Sequence, residues 1–382
     1  MKAGLESNMK AVSYPSTMAS CGHGNCCCEM DAGPRRKDYA MRAIRIERQG
    51  APVTPNISYV EDHPDPTLHP GELMVKTEAS ALNHLDLWVG RGMPGATDFP
   101  RISGSDGCGR VTATGDGVDE SWIGRRVMIN AAIPASARPH PDRDPAAPAL
   151  HMIGETLPGT HAEYFTVPAS NAIDIGDQDP IKAAAYGLTH LTAWRMMVTR
   201  AGLQPGQWVL ITGIGGGLAL AALNLARHLG CRTIVTSRHQ WKLDRARELG
   251  ADHGIVDTGT CWADQVRSIT SKRGVDVCVE SVGQAVHGSV IKSLTRGGVM
   301  TTCGCTTGPA AETDLMRIFW NQLSIVGSTM GDMDEFRQAT SFFRSGSLEP
   351  TIDCVIDAAD GVQAWSRLEA GDQFGKIVLN WS

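Results

Sequence analysis

The stretch ITGIGGGLALAALNLARHLGCRTIVTSRHQWKLDRARELGAD, residues 211–252, decides the reading of this chain. It reads as strand, glycine turn, helix, strand, helix. Residues 208–212 are a short apolar run of the kind buried in a parallel sheet. Gly213, Gly215, Gly216 and Gly217 then let the backbone turn sharply and approach a ligand closely. Residues 219–229 have helical apolar spacing, Gly230 stops them, and 232–236 form the second strand. A helix that starts on a glycine turn points unpaired N–H groups outward, which suits a phosphate or pyrophosphate. Glycines alone are a weak signal. Set between the strand and helix of a βαβ unit, they predict a dinucleotide site.

The same stretch predicts which dinucleotide. An NAD site places Asp or Glu at the end of the second strand to hold the ribose 2′-hydroxyl. Here no acid occurs between Gly213 and Asp244. The strand ends on Ser237 and Arg238, with Lys242 a turn later, and a hydroxyl with two cations suits a 2′-phosphate. The expected cofactor is therefore NADP.

Working outward, 382 residues are too many for one small core, so two domains are the default. A net charge of −6 with mixed signs argues against nucleic acid, and no apolar run reaches a membrane span. The expected partner is a small-molecule substrate. Seven cysteines scattered among apolar neighbours fit reduced thiols of a cytoplasmic protein. Residues 1–40 lack sustained periodicity and predict an extension without a fold of its own. Cys21, His23 and Cys26 to Cys28 within it fit no common zinc spacing.

Residues 41–175 predict a β-rich domain, with strands at 41–47, 72–77, 110–113, 126–130 and 163–167 and a Pro- and Ala-rich loop at 131–150. Residues 176–328 predict an α/β domain of six strands in a doubly wound sheet, entered by a helix at 181–198. Its other strands are 254–256, 275–280, 298–302 and 323–327, with helices at 265–271 and 285–294. Residues 329–382 add a helix at 334–345, a strand at 351–355, a helix at 358–370 and a strand at 376–379. These exceed what the sheet needs, so the chain is expected to return to the first domain.

Together with that order of elements, ASALNHLDLWVGRG (79–92), PRISGSDGCGRVTATGDGV (100–118), GTHAEYFTVP (159–168), AAAYGLTHLTAW (183–194), DVCVESVG (276–283), LTRGGVMTTCG (294–304) and QFGKIVL (373–379) resemble the medium-chain dehydrogenase/reductase superfamily over residues 41–382. The resemblance implies a GroES-like catalytic domain, a Rossmann domain and a C-terminal return. Zinc-dependent members carry Cys where Asn83 stands, His-Glu where Ser105-Asp106 stands, and Cys or Asp near Ala184 or Ala185. None of those ligands is present, so no metal is expected. The branch resembled is that of zinc-free quinone oxidoreductases.

Without a Lewis acid, hydride from NADPH needs a carbon already polarised by conjugation, so quinones and α,β-unsaturated carbonyls are the expected substrates. The resemblance places Asn83, His84 and Asp86 on the cleft wall. Asn83 is a donor to a substrate oxygen or a cap of the next turn, and Asp86 an orienter of His84, a proton relay or the acceptor of a buried structural hydrogen bond. Many relatives carry Tyr where Trp88 stands, so Tyr186 and His84 are stand-ins for the acid. The resemblance also implies cofactor contacts at Thr192, Gly216, Gly217, Leu218, Ser281, Val282, Gly283, Cys303, Gly304 and Lys376. Two other functions stay open at this stage: an alcohol or aldehyde dehydrogenase with an altered zinc site, and a catalytically silent NADPH-binding protein. The apolar stretch LSIVGS (323–328), at a sheet edge, predicts a homodimer.

Overall fold

The computed structural model describes residues 40–93, 98–134 and 150–382, all of which belong to one compact unit. The expectations for residues 1–40, and most of the 131–150 loop, lie outside the described residues. The six predicted parallel strands are all present. Their order in space is His253–Val256, Arg232–Ser237, Trp208–Ile211, Val275–Glu280, Leu294–Thr302 and Ser324–Gly327. Successive strand residues face opposite sides. Val209, Ile211, Val235, Val277 and Val279 accordingly join one apolar cluster, and Leu210, Ile234, Val275, Cys278 and Met300 another. Both faces are covered, which is why these strands read as unbroken apolar runs. Each fully buried Val, Leu or Ile contributes about 1.5–3 kcal/mol. Winding reverses between Trp208–Ile211 and Val275–Glu280, and such a switch point opens a crevice at the carboxyl ends of the strands.

The β-rich lobe centres on Glu72–Ala81. Along one edge it pairs antiparallel with Asp106–Thr114. Along the other it pairs first with Tyr164–Pro168 and then, through Ala79 to Ala81, with Lys376–Asn380. The last strand also runs parallel to Ile352–Asp357, so the chain does return to its first lobe. The fold is thus α/β, a GroES-like lobe joined to a doubly wound Rossmann sheet.

The differences from the expected elements have local causes. Glu72–Ala81 and Asp106–Thr114 run longer than 72–77 and 110–113. All of their extra residues but Thr114, EASA (78–81) and DGCG (106–109), lack a β-branched side chain, and pairing with neighbouring strands holds them extended. The 181–198 helix begins at Pro180, ends at Trp194 and continues as a π-turn, Arg195–Arg200. Expected helix 358–370 breaks at Gly361. The ends of the 131–150 loop, Ala132–Pro134 and Leu150–Met152, pair antiparallel. The strand Ile57–Pro64 and the helices His84–Arg91 and Leu315–Asn321 have no counterpart in the sequence reading. Among the described residues no helix is long and apolar enough to cross a membrane.

Candidate active site

One wall of the crevice is the glycine turn. Gly213 and Gly215 have φ of +65° and +118°, the left-handed region that side chains disfavour. The helix Gly217–His228 starts at Gly216 without a side-chain cap, so the N–H groups of Gly217 and Leu218 are left for an anion. A Cβ on Gly217 would lie 2.7 Å from Cδ of Lys376, and one on Gly215 would lie 2.7 Å from Cδ of Lys242. Two lysine stems therefore flank the turn. The carbonyl of Gly215 accepts the N–H of Gly375 at 2.9 Å, which ties the turn to the returning C-terminal segment.

The other implied cofactor residues gather at the ends of neighbouring strands. Glu280, buried, accepts the N–H groups of Val282 (2.5 Å) and Gly283 (2.9 Å), and burial raises its carboxyl above the ordinary range. Val282 reaches the turn, since a Cβ on Gly213 would lie 2.9 Å from its Cγ2. Gly304 lies against Ser281. The Cys303 thiol is pushed up to about 12, by burial first and by Glu280 second, so it stays protonated at neutral pH. The hydroxyl of Thr192 donates to Leu188 O (2.7 Å). Ser237, buried, accepts the N–H of His239, and Arg238 is exposed. Lys242 departs from the expected trio. Its ammonium donates to the carbonyl of Gly371 at 2.7 Å beside the glycine turn, so it braces the C-terminal segment rather than standing free beside Arg238.

The opposite wall is a buried knot of polar side chains. Lys376 Nζ lies 2.5 Å from Asn83 Oδ1 and 2.8 Å from Asp106 Oδ2. Asn83 Nδ2 donates to the same Asp106 oxygen at 2.9 Å, and the N–H of Leu188 donates to Oδ1 at 2.7 Å. Lys376 and Asp106 are 3% and 1% exposed, so the pair is shielded from water. Breaking such a pair costs about 3–5 kcal/mol, because one charge is left buried alone. The helix Pro180–Trp194 reaches this carboxylate because residue 187 is glycine, where a Cβ would stand 2.8 Å from Asp106 Oδ1.

A second layer fixes the first. Asp86 accepts the backbone N–H of Asn83 at 2.7 Å. Its other oxygen lies 3.5 Å from His161 Nε2. His161 Nδ1 meets Ser80 Oγ at 2.9 Å, and Ser80 Oγ accepts the indole N–H of Trp381 at 2.9 Å. Burial would raise the Asp86 carboxyl. His161 and the Asn83 N–H outweigh it and hold the group below the ordinary range. Asp86 thus makes a buried structural hydrogen bond to Asn83, one of the roles the sequence left open, beside its contact with His161. His84 keeps an exposed edge on the cleft. The crowding of its surroundings, then the charges of Arg91 and Lys376, lower its imidazole below the usual value.

Tyr186 is not brought to this cluster. Its hydroxyl donates to Ala339 O at 2.7 Å, and its ring stacks 3.7 Å from that of His190. Burial raises the phenol further and pushes the His190 imidazole down to about 3, so neither ring exchanges protons near neutral pH. His161 and Ser80 were missed by sequence reasoning. A lone histidine in an apolar strand region carries no local sign of a partner 75 positions away.

The zinc-ligand positions do not fit zinc. Asn83 and Asp106 are engaged with an ammonium, and the hydroxyl of Ser105 donates to Ile153 O at 2.7 Å. The residue of the Pro180–Trp194 helix at Asp106 is Leu188, one turn beyond the expected Ala184 and Ala185, and it offers only its backbone. Among the described residues no three His, Cys, Asp or Glu side chains form a metal-holding group. The glycine turn does fit a dinucleotide, through its uncapped helix start and a cradle that a Cβ would fill.

The family "Alcohol dehydrogenase GroES-like domain" matches residues 69–177, and the family "Zinc-binding dehydrogenase" matches 217–345. The zinc-type alcohol dehydrogenase-like protein YogA of Leptosphaeria maculans is 30% identical over 339 residues, covering 82% of this chain and 92% of the relative. A crotonyl-CoA reductase of Streptomyces avermitilis is 28% identical over 360 residues, covering 84% and 81%. A solved NAD-dependent alcohol dehydrogenase superposes with a TM-score of 0.82 at 33% identity, over 90% of this chain and all of that one.

Proposed function

The chain belongs to the medium-chain dehydrogenase/reductase superfamily and is an oxidoreductase that uses a nicotinamide dinucleotide; from that premise we propose that it transfers hydride from NADPH to a quinone or an α,β-unsaturated carbonyl without a metal. The observation that carries this reading is the Lys376–Asn83–Asp106 knot at the zinc-ligand positions, which leaves no donor set for zinc. Bound dinucleotide supplies the hydride. The chain's own part is to bind and orient. The N–H groups of Gly217 and Leu218 receive the pyrophosphate, and Arg238 and Ser237 meet the 2′-phosphate, with no acid before Asp244 to repel it. Asn83, fixed at its backbone by Asp86, accepts from Lys376 and holds that ammonium at the cleft.

The test is a screen of NADPH oxidation with 1,4-naphthoquinone, enones, enoyl thioesters and aldehydes, run with and without a chelator. Chelator-insensitive turnover of a quinone or enone is expected. Turnover restricted to aldehydes or alcohols and abolished by chelation would replace this reading with that of an altered zinc dehydrogenase, which the names of several relatives favour.

We also propose that the protein is a homodimer. Ser324–Gly327 is an edge strand paired on one side only, with Ile325 43% exposed. Just before it, the helix Leu315–Asn321 exposes Leu315, Met316, Phe319 and Trp320 to 67–73%. Contiguous apolar surface of that kind beside an open edge suits a second copy of the same chain. Ile325→Lys should yield monomers in sedimentation velocity. A wild type that is monomeric at micromolar concentration would refute the proposal.

A further inference from the structure

We infer that Lys376 is the resident cation of the cleft: its ammonium carries, on a tether, the positive charge that zinc carries in metal-dependent members, and it donates to the substrate oxygen on which negative charge grows. The inference rests on the reduction proposed above and assigns its electrophile.

Two of the three N–H donors of this ammonium are spent, on Asn83 Oδ1 and Asp106 Oδ2. The third meets no acceptor among the described residues. The two acceptors stand at positions where zinc members carry metal ligands, so the charge sits where a metal charge would. Asp106 takes only one of these N–H groups: its carboxylate is shared among three donors, Lys376, Asn83 and the Leu188 N–H, and the paired ammonium still presents its third N–H. The stem is held as well. It lies against Gly217 and leaves a strand paired on both sides, to Ile352–Asp357 and to Glu72–Ala81. A fixed donor aimed at a developing oxyanion in a dry site needs no reorganisation during reaction.

In the step this implies, hydride adds with its electron pair to the far carbon of the conjugated system. The carbon–carbon π pair shifts toward the carbonyl carbon, and the carbonyl π pair moves onto oxygen, where the Lys376 N–H meets it. A solvent proton completes the reduced product, and oxidised dinucleotide leaves.

The experiment compares full-length wild type with Lys376→Met, Lys376→Arg, Asp106→Asn and the double variant Asp106→Asn/Lys376→Met. Turnover of 1,4-naphthoquinone is measured at saturating NADPH, NADPH binding is titrated separately, and zinc is measured by elemental analysis after dialysis against zinc alone. Lys376→Met should lower kcat by roughly 100-fold or more, the scale of losing one oxyanion donor. Lys376→Arg should recover part of that loss. The wild type should retain no stoichiometric zinc. A kcat for Lys376→Met within a few-fold of wild type, with only NADPH affinity weakened, would make Lys376 a phosphate ligand and overturn the inference. So would one equivalent of retained zinc that raises the rate. If no quinone or enone is turned over, the proposed reduction fails by itself, and thermal melting then decides on the cation. Each single variant should melt lower than wild type and the double variant should recover. Additive losses in the double variant would show that the two charges are not a pair.

Discussion

The two walls of the cleft are made of different material. The wall on the parallel sheet is mostly backbone: glycines, an uncapped helix start and the peptide groups of Gly217 and Leu218. The facing wall is built from buried side chains, Asn83, Asp86, Asp106, His161 and Lys376, each in contact with another. A backbone site is insensitive to most single substitutions, since the peptide remains whatever the side chain. A charge network in a low-dielectric interior is sensitive to every member, since each loss strands a partner.

That contrast can be broken first at Asp86. Asp86→Asn should destabilise the protein by about 3 kcal/mol at pH 7, measured by urea unfolding. The folded carboxyl lies below its ordinary range. Its contribution is therefore fully present above the unfolded pKa of about 3.9 and disappears as pH falls through the lower folded value. The gap between variant and wild type should narrow in acid. A gap constant from pH 7 to pH 3 would show that the charge of Asp86 is not what stabilises the wall.

On the backbone wall the effects should be smaller and should fall on binding. Arg238→Ala removes one charge-assisted contact and should weaken NADPH by about 1.5–3 kcal/mol while leaving NADH unchanged. Equal affinity of the wild type for the two dinucleotides would contradict the assignment of Ser237 and Arg238. Gly215→Ala forces a side chain into φ +118° beside the Lys242 stem and should cost about 1–2 kcal/mol in stability, with a parallel loss of dinucleotide affinity. Unchanged NADPH binding in that variant would mean that the turn does not cradle the pyrophosphate. A chain beginning at Met41 should melt and turn over like the full chain, as a control outside both walls. A drop of several degrees would show that residues 1–40 dock on the fold.

The same contrast explains what could be read from the sequence. Residues 211–252 carry their meaning within one βαβ unit, so the turn, the helix and the missing acid were all legible together. The side-chain wall joins positions up to 293 residues apart, and no window of sequence contains it. Two signs were nevertheless visible. Asp106 opens a glycine-rich buried strand, and Lys376 opens the apolar strand KIVLN. A charge in such a strand needs a partner, and each is the other's. Tyr186 misled for a related reason. Its hydroxyl looked available in sequence, whereas tertiary packing committed it to the carbonyl of Ala339. Lys242 has a contact that the sequence could not show: helical spacing placed it near Arg238 but gave no sign that its amine reaches Gly371.

The separation of Asp106 and Lys376 by 270 residues also sets a timetable for synthesis. At 5–20 residues per second, a ribosome needs about 14–54 s to make the ammonium after making the carboxylate. Through that interval the Ala79–Ala81 end of the central β strand has no Lys376–Asn380 beside it, and Asp106 has no counter-charge. The glycine turn, by contrast, has its own βαβ unit early and waits on the late segment only for such contacts as the Gly375 N–H on Gly215. Until the last strand is made, that open strand edge is the surface a chaperone would have to guard.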